Sequence, residues 1–533
     1  MFTFFRNALA VLALALPSTA MAQPVVNAVI NNFGGIVPGL PSYGIAPASL
    51  FVIYGSGLCA SASLAVQTSA GNGLPQTLNG MTISVVVNGV TTTPAIYYAI
   101  PTQVAAVLPS TTPAGSGTIT VTYNNQSTSA PLLVTKTAFG VLTLSTSGTS
   151  GVKATDLSYN VIEPTSSAAP GQTIVLWGSG LGADKANNDR TYPMKQDNLN
   201  DATVYIGGVK ADVLYAGRSQ FPGVDQIDVT LPAAGTSGFQ EGCALSVVVV
   251  ANGLPSNFGT LPVSSTPVCS DAEFGITGTQ VGSTGTLKTG SLALLQITQP
   301  TLPGQDAVKP QTTFTSSYLA TGSFQSQTAA QYLGNSDFFT LGSCVVINSS
   351  TNVSLTTTTT GLDAGNPIVL SGGGLSVDLQ ELITGSYDAS VTSALIPGTA
   401  YTFKGPGGKD VGAFTATITL PTPLTWTNES SISTVTESKG QEITWSGGAT
   451  GTYVIIAGSA ISTAASAQAG FYCLVPVGAG EFTVPSYVLL ALPTGTGALG
   501  VYNFATAVSF SATGIDSGHV SAGVLAISNV TYQ

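Results

Sequence analysis

The strongest constraint on this chain is a block that occurs twice. Ala46-Pro47-Ala48-Ser49-Leu50-Phe51-Val52-Ile53-Tyr54-Gly55-Ser56-Gly57-Leu58 and Ala169-Pro170-Gly171-Gln172-Thr173-Ile174-Val175-Leu176-Trp177-Gly178-Ser179-Gly180-Leu181 each open on a proline-led turn, run through a short apolar stretch and leave through Gly-Ser-Gly-Leu. The residues downstream of the two blocks also correspond, in the same order. Thr203 to Val209 answers Ser84 to Val90, Val213 to Ala216 answers Ile96 to Ala99, and Gln226 to Pro232 answers Gln103 to Pro109. Matched blocks in one order mean one structural unit used twice.

The unit is made of strands. Gly117-Thr118-Ile119-Thr120-Val121-Thr122-Tyr123 alternates apolar and polar residues, as a half-buried strand does. Thr82 to Val87 runs into Asn88-Gly89, a hairpin turn signal. Charged residues make up 7% of the chain, against roughly 25% in an average soluble protein. Hydrophobic residues make up 44%, with 62 Gly and 30 Pro, so the composition favours strands and turns over exposed helices. About seven short strands in about 110 residues fit an immunoglobulin-like sandwich.

The proline-Gly opening, Gly-Ser-Gly-Leu, the V-x-(I/V)-x-Gly-Val strand and the Gln-(I/V)-x-x-x-(L/V)-Pro strand resemble the TIG/IPT immunoglobulin-like domain. The likeness is closest to the version that recurs in secreted proteins of environmental bacteria. It covers about residues 45–260, with Ala48 standing where the second copy has the more usual Gly171. The resemblance implies a seven-stranded sandwich used as a spacer, binding or assembly module. It brings no catalytic residue with it.

The expected plan is all-β: tandem immunoglobulin-like sandwiches followed by further β-sandwich domains. Residues 1–22 read as a cleavable signal peptide, with Arg6, the apolar Ala8 to Leu16 and the small-x-small site Ala20-Met21-Ala22. The two repeated units occupy 23–136 and 137–267. A β-rich domain spans 268–422, and a β-sandwich domain 423–533, divided at Pro421 and Pro423. No later stretch is apolar for long enough to form a transmembrane helix.

The chemistry in the sequence is sparse. Gly55-x-Gly57-x-x-Ala60 and Gly178-x-Gly180-x-x-Ala183 fit the dinucleotide fingerprint in letters. The pyrophosphate needs a helix N-terminus there, and residues 184–201 show no helical period. The glycines are therefore read as turn or close-packing positions. His519 is the one histidine and is read as an ordinary surface or loop residue. Asp184, Asp189, Asp197, Asn198, Asn200 and Asp201 crowd one loop with oxygen ligands that suit Ca²⁺, in a spacing that matches no EF-hand, so a solvated loop is the default. Trp177 falls inside an apolar strand and is expected in the core. Trp426 and Trp445 have polar neighbours and are the candidate ligand contacts, as stacking platforms for sugar rings.

Five cysteines in an exported chain point to disulfides. Cys243 and Cys269 are expected to pair across the C-terminal edge of the second unit. Cys344 and Cys473 pair if Cys59 is left over, and Cys59 is then a buried thiol or an intermolecular bridge. The net charge of −11 argues against nucleic acid and anionic membrane surfaces. The reading is an exported, non-catalytic module, secreted, at the cell surface or periplasmic, that adheres to or binds a glycan, a surface protein or its own copies. A structural coat or filament is the alternative. A carbohydrate-active enzyme, with converging carboxylates in the C-terminal half, is a third.

Overall fold

The glycines of the repeated block stand where a side chain does not fit or a left-handed backbone is needed. In the computed structural model, Leu50–Ser56 and Thr173–Ser179 are strands. A Cβ on Gly55 would lie 2.0 Å from the Val25 carbonyl oxygen, and one on Gly178 would lie 2.1 Å from the Phe139 ring. Gly57 (φ 62°) and Gly180 (φ 116°) turn the chain out of each strand. At the proline-led opening, Gly171 has φ 77° and Ala48 has φ 62°, so Ala48 holds a conformation that costs an L residue about 1–2 kcal/mol. Gly57 to Ala60 and Gly180 to Ala183 are not helical, so neither fingerprint opens a helix within its own length.

The structure describes residues 23–144, 148–183, 189–199, 202–271, 276–282, 286–300, 314–328, 340–350, 359–462 and 467–533. The expected signal peptide, 1–22, lies outside them. No helix among the described residues is long and apolar enough to cross a membrane.

Two sheets form the first unit. Val25–Asn31, Leu50–Ser56, Gln103–Val107 and Ala95–Ile100 pair in that order. The second sheet is Thr77–Leu78, Met81–Val87, Gly115–Tyr123 and Gln126–Val134, with Val90–Thr92 paired to Met81–Val87. Met81, Ile83, Val85 and Val87 alternate inward and meet Phe51, Ile53, Val104 and Ala106. Each such side chain contributes about 1.5–3 kcal/mol by leaving water. In the second unit the strand Val209–Arg218 pairs with Ala202–Ile206 at its start and with Asp225–Thr230 from Asp212 onward, through a bulge between Val213 and Tyr215. That bend carries one strand between two sheets, and Ile174, Leu176, Val204, Ile206, Ile227 and Val247 fill the core between them.

A buried ion pair closes the second Gly-Ser-Gly-Leu block. Arg218 and Asp225 are both 0% exposed. Asp225 accepts from the backbone N–H of Gly180 (2.7 Å) and Leu181 (2.8 Å) and from Arg218, while Arg218 also donates to the Gly182 carbonyl. Burial pushes the Asp225 carboxyl up, and Arg218 with the two backbone N–H groups pulls against it.

The units dock through side chains. The Asn31 amide donates to Ala138 O and Ser179 O (2.8 Å each), Leu50 N donates to Ser179 Oγ (2.8 Å), and Tyr97 Oη donates to Pro222 O (2.7 Å). Ile36, Val37 and Leu40 of the first unit and Val248 and Phe258 of the second join the core built by Trp426, Trp445, Ile456 and Phe471. Tyr205 stacks on Tyr487 with ring centroids 4.2 Å apart.

Beyond residue 285 most strands belong to one sheet. It runs from Cys344–Ser350 through Ala467–Pro476, Tyr453–Ser462, Gly495–Phe504 and Ser517–Tyr532 to Thr286–Pro300, Phe314–Thr328, Ser386–Val391 and onward to Phe414–Thr419. Ser517–Tyr532 is parallel to Thr286–Pro300. Hydrogen bonding therefore does not break at the expected boundary near 422, because strands from 268–422 and 423–533 pair with one another. The core forms one cluster around Phe324, Tyr401 and Phe403 and another around Trp445, Phe471 and Val501, and each crosses that boundary: Phe510 and Val520 join the first, Cys344 and Val346 the second.

Glu437 lies buried in the second of these regions, 6% exposed, with Oε1 among the buried polar atoms that lack a hydrogen-bond partner. Burial pushes its carboxyl from the ordinary 4.5 up to about 7. The folded state thus holds the proton more tightly than the unfolded chain. The stability this gives is present below pH 4.5 and is lost as pH rises through about 7. We expect wild type to lose about 3 kcal/mol across that window relative to Glu437→Gln, read from denaturant midpoints at a series of pH values. Parallel profiles would contradict it.

Candidate functional site

Strand alternation gives the C-terminal sheet two faces. Leu292, Leu294, Ala320, Phe324, Val520 and Ala522 point into the core. Their neighbours point the other way and line a cleft of about 720 Å³. Register places the lining in rows. His519 is opposite Ser291, Ser291 opposite Ser323, and Ser323 opposite Ser386. In the next row Ser521, Ala293, Thr321 and Asp388 lie side by side. This part of the cleft is a surface of hydroxyl groups with one carboxylate.

The other part is aromatic. Leu525 is opposite Tyr502, and Tyr502 is opposite Ile455. Phe504 is opposite Gly523, where a Cβ would lie 3.0 Å from the Phe504 ring. A Cβ on Gly500 would lie 2.9 Å from Tyr502 Oη and 3.0 Å from its ring carbons. The far ends of both rings therefore reach over glycines, where no Cβ stands in their way, with centroids 6.4 Å apart and planes tilted by 41°. Two aromatic rings thus stand side by side in the lining of the cleft. Burial, with Tyr472 nearby, pushes the Tyr502 phenol up to about 12, so it stays a neutral hydrogen-bond donor at physiological pH.

His519 sits in this lining, with Ser517 Oγ 3.4 Å from Nδ1 and 3.5 Å from Nε2. The near-equal distances do not aim the hydroxyl at one nitrogen, as a nucleophile and its base require.

The proposed platforms Trp426 and Trp445 are placed elsewhere, and this corrects the expectation from sequence. They are 6% and 5% exposed and face each other across antiparallel strands inside the core. Trp426 Nε1 donates to Asn428 Oδ1 (2.9 Å) and Trp445 Nε1 to Val477 O (2.8 Å). The polar neighbours that suggested exposure point to the opposite face, because successive side chains on a strand alternate. Trp177 is corrected in the opposite sense. It is half-buried on the side of its strand away from Ile174 and Leu176, stacked on the exposed Tyr159 at 6.0 Å.

In the acidic loop, Asp189 accepts from Ser110 N (2.7 Å) and Ser110 Oγ (2.5 Å), and Arg190 Nε donates to Leu74 O (2.8 Å). These residues tie the second unit to the first. Asp197 pairs with Lys195 at 2.8 Å, and Asn198 Oδ1 accepts from Ala216 N (3.3 Å). Asp184, Asn200 and Asp201 lie outside the described residues. Among the described residues no three His, Cys, Asp or Glu side chains come together to hold a metal.

The structure joins Cys243 to Cys269 and Cys344 to Cys473. Cys59 is a free thiol, buried at 4% exposure. It donates to Ala60 O at 3.3 Å, and burial pushes its pKa up. A thiol so placed is not presented for an intermolecular bridge.

Tyr502 and Phe504 were not among the residues singled out from sequence. The signal that could have found them is Gly500-Val501-Tyr502-Asn503-Phe504, where aromatics at every second position succeed a glycine on the same face.

No protein-family model matches the chain, and no curated protein matches it. Solved structures overlap it at low identity. One is SGBP-B of the Bacteroides ovatus mixed-linkage glucan utilization locus, in complex with a mixed-linkage heptasaccharide. It is 12% identical, over 84% of this chain and 85% of that one, with a TM-score of 0.14. Another is the tetra-tandem repeat in the extending region of a large adhesion protein, 11% identical over 91% and 96%, with a TM-score of 0.13. Domains 5–6 of the S-layer protein SbsC are 15% identical over 46% of this chain and 100% of that one, with a TM-score of 0.17. With TM-scores this low, the fold assignment rests on the sheets and cores described above.

Proposed function

We propose that the protein is an exported, non-catalytic binding module, secreted or held at the cell surface, whose two TIG/IPT-type units support a C-terminal cleft for a glycan. One observation carries this reading: the far ends of the Tyr502 and Phe504 rings reach over Gly500 and Gly523, in a cleft that also holds rows of hydroxyl groups. Sugars offer a C–H face to such rings and hydroxyls to such rows. Asp388 is the one carboxylate of the described lining, and hydrolysis by the usual mechanism needs two.

The coat or filament reading has less support. The outer strand Gln126–Val134 contains Pro131, which has no N–H to give a new partner, and Leu133 O already accepts from Ile45 N.

Affinity electrophoresis in gels containing soluble polysaccharides tests the glycan reading. Tyr502→Ala and Phe504→Ala are each expected to weaken retardation by about tenfold, the scale of one lost ring contact plus its area. Unchanged retardation in both variants would remove the cleft from the function.

A further inference from the structure

The cleft has a polar group that the protein itself leaves unused. Gln327 lines it and is 4% exposed, and its Nε2 has no hydrogen-bond partner. Gln327 stands opposite Leu287, whose side chain packs on Cys243 and Cys269, so it marks the end of the cleft nearest the second unit. A buried donor without an acceptor is costly, and a ligand oxygen at that point would satisfy it.

The charge of the lining narrows the ligand further. Lys and Arg are absent from the described lining, while Asp388 contributes a negative charge. The whole chain has 13 Lys and Arg against 24 Asp and Glu. A uronic acid or sulfated sugar in this cleft would lose water around its charge and find no Lys or Arg of the described lining to replace it. Near Asp388 it would also be repelled, enough to lower affinity by about tenfold or more even in physiological salt. A neutral sugar has no such penalty, and its hydroxyl and ring oxygens are the acceptors that Gln327 lacks.

We propose that the cleft takes an uncharged glycan in preference to anionic ones, with the Gln327 amide as the hydrogen-bond donor at its inner end. This rests on the glycan reading above and adds its selectivity.

The test is affinity electrophoresis of the full mature chain in two sets of gels. One set contains β-glucan, xyloglucan, galactomannan or soluble starch; the other contains polygalacturonate, alginate or chondroitin sulfate. At least one neutral polymer is expected to retard the protein and no anionic one to do so. Pull-down on the immobilised neutral polymer should then be unchanged between about 0.05 and about 0.5 M NaCl, since no ion pair contributes. Gln327→Ala should weaken binding by about fivefold to tenfold. Should that variant unfold earlier than wild type, Gln327→Leu, which fills the space without the donor, decides the point. Equal or stronger retardation by an anionic polymer would overturn the charge selection and leave glycan binding standing. Retardation by none would overturn both. Wild-type affinity in a folded Gln327 variant would overturn the role of that amide.

Discussion

Asp225→Ala is expected to destabilise the second unit by about 3–5 kcal/mol, the range for breaking a buried ion pair from one side. The carboxylate it removes holds three groups, the Arg218 guanidinium and the backbone N–H groups of Gly180 and Leu181. None of the three can turn to water, because both members of the pair are 0% exposed. The loss is thus larger than a surface salt bridge would give, where the median is about 0–1 kcal/mol. Asp225→Asn keeps an acceptor oxygen but leaves the guanidinium uncompensated, and should fall between wild type and Ala. The double variant Arg218→Met, Asp225→Leu removes the charge from both sides and should be more stable than Asp225→Ala alone. Hydrogen exchange of the strands Thr173–Ser179 and Asp225–Thr230 under mild denaturant reads the effect where it arises. A loss below about 1 kcal/mol would mean the pair is held by its surroundings rather than holding them.

This ion pair also shows where reading the sequence stops. The repeated block could be recognised because glycine is demanded locally, by left-handed φ at Gly57 and Gly180 and by contact at Gly55 and Gly178. Strand alternation was legible for the same reason, since Met81 to Val87 carries its two faces in consecutive residues. Arg218 and Asp225 meet only after a hairpin, at a position where the first unit has Thr102 in place of the acid, so the repeat carried no hint of them. The cleft was hidden more deeply. Its rows combine residues near 291, 323, 386 and 519. Antiparallel pairing brings the first three together, and His519 joins them only through a parallel pairing of the last strand with one far earlier in the chain, which leaves no local pattern. Trp426 and Trp445 misled because flanking polar residues on a strand belong to the opposite face. Composition marked them as exposed, and packing buried them.

Removing the Cys344–Cys473 bridge is expected to have the largest effect of any single change in the C-terminal half. The bonded residues are 129 apart in sequence. Closing a loop of that length lowers the entropy of the unfolded chain by an amount worth about 5 kcal/mol in the loop-entropy account. Cys243–Cys269, with a separation of 26, should contribute about 3.5 kcal/mol on the same basis. The native side points the same way. Cys344–Ser350 is the outermost strand of the large sheet, held there by Ala467–Pro476 with Cys344 opposite Cys473. The residues just before it face the second unit, where Thr340 Oγ1 accepts from Ala244 N and Ser343 Oγ accepts from Ser246 N, both at 3.2 Å. Loss of the bridge should therefore loosen the edge strand and its contact with the second unit together. Cys344→Ala with Cys473→Ala tests this without placing hydroxyls among Val346, Phe471 and Val475. Urea unfolding should show the transition that reports on the C-terminal sheet moving to lower denaturant, by more than in Cys243→Ala with Cys269→Ala. If the shorter loop proves the more costly to open, loop length is not what governs either bridge. The packing of Leu287 and Val281 against Cys243 and Cys269 would then be the stronger term.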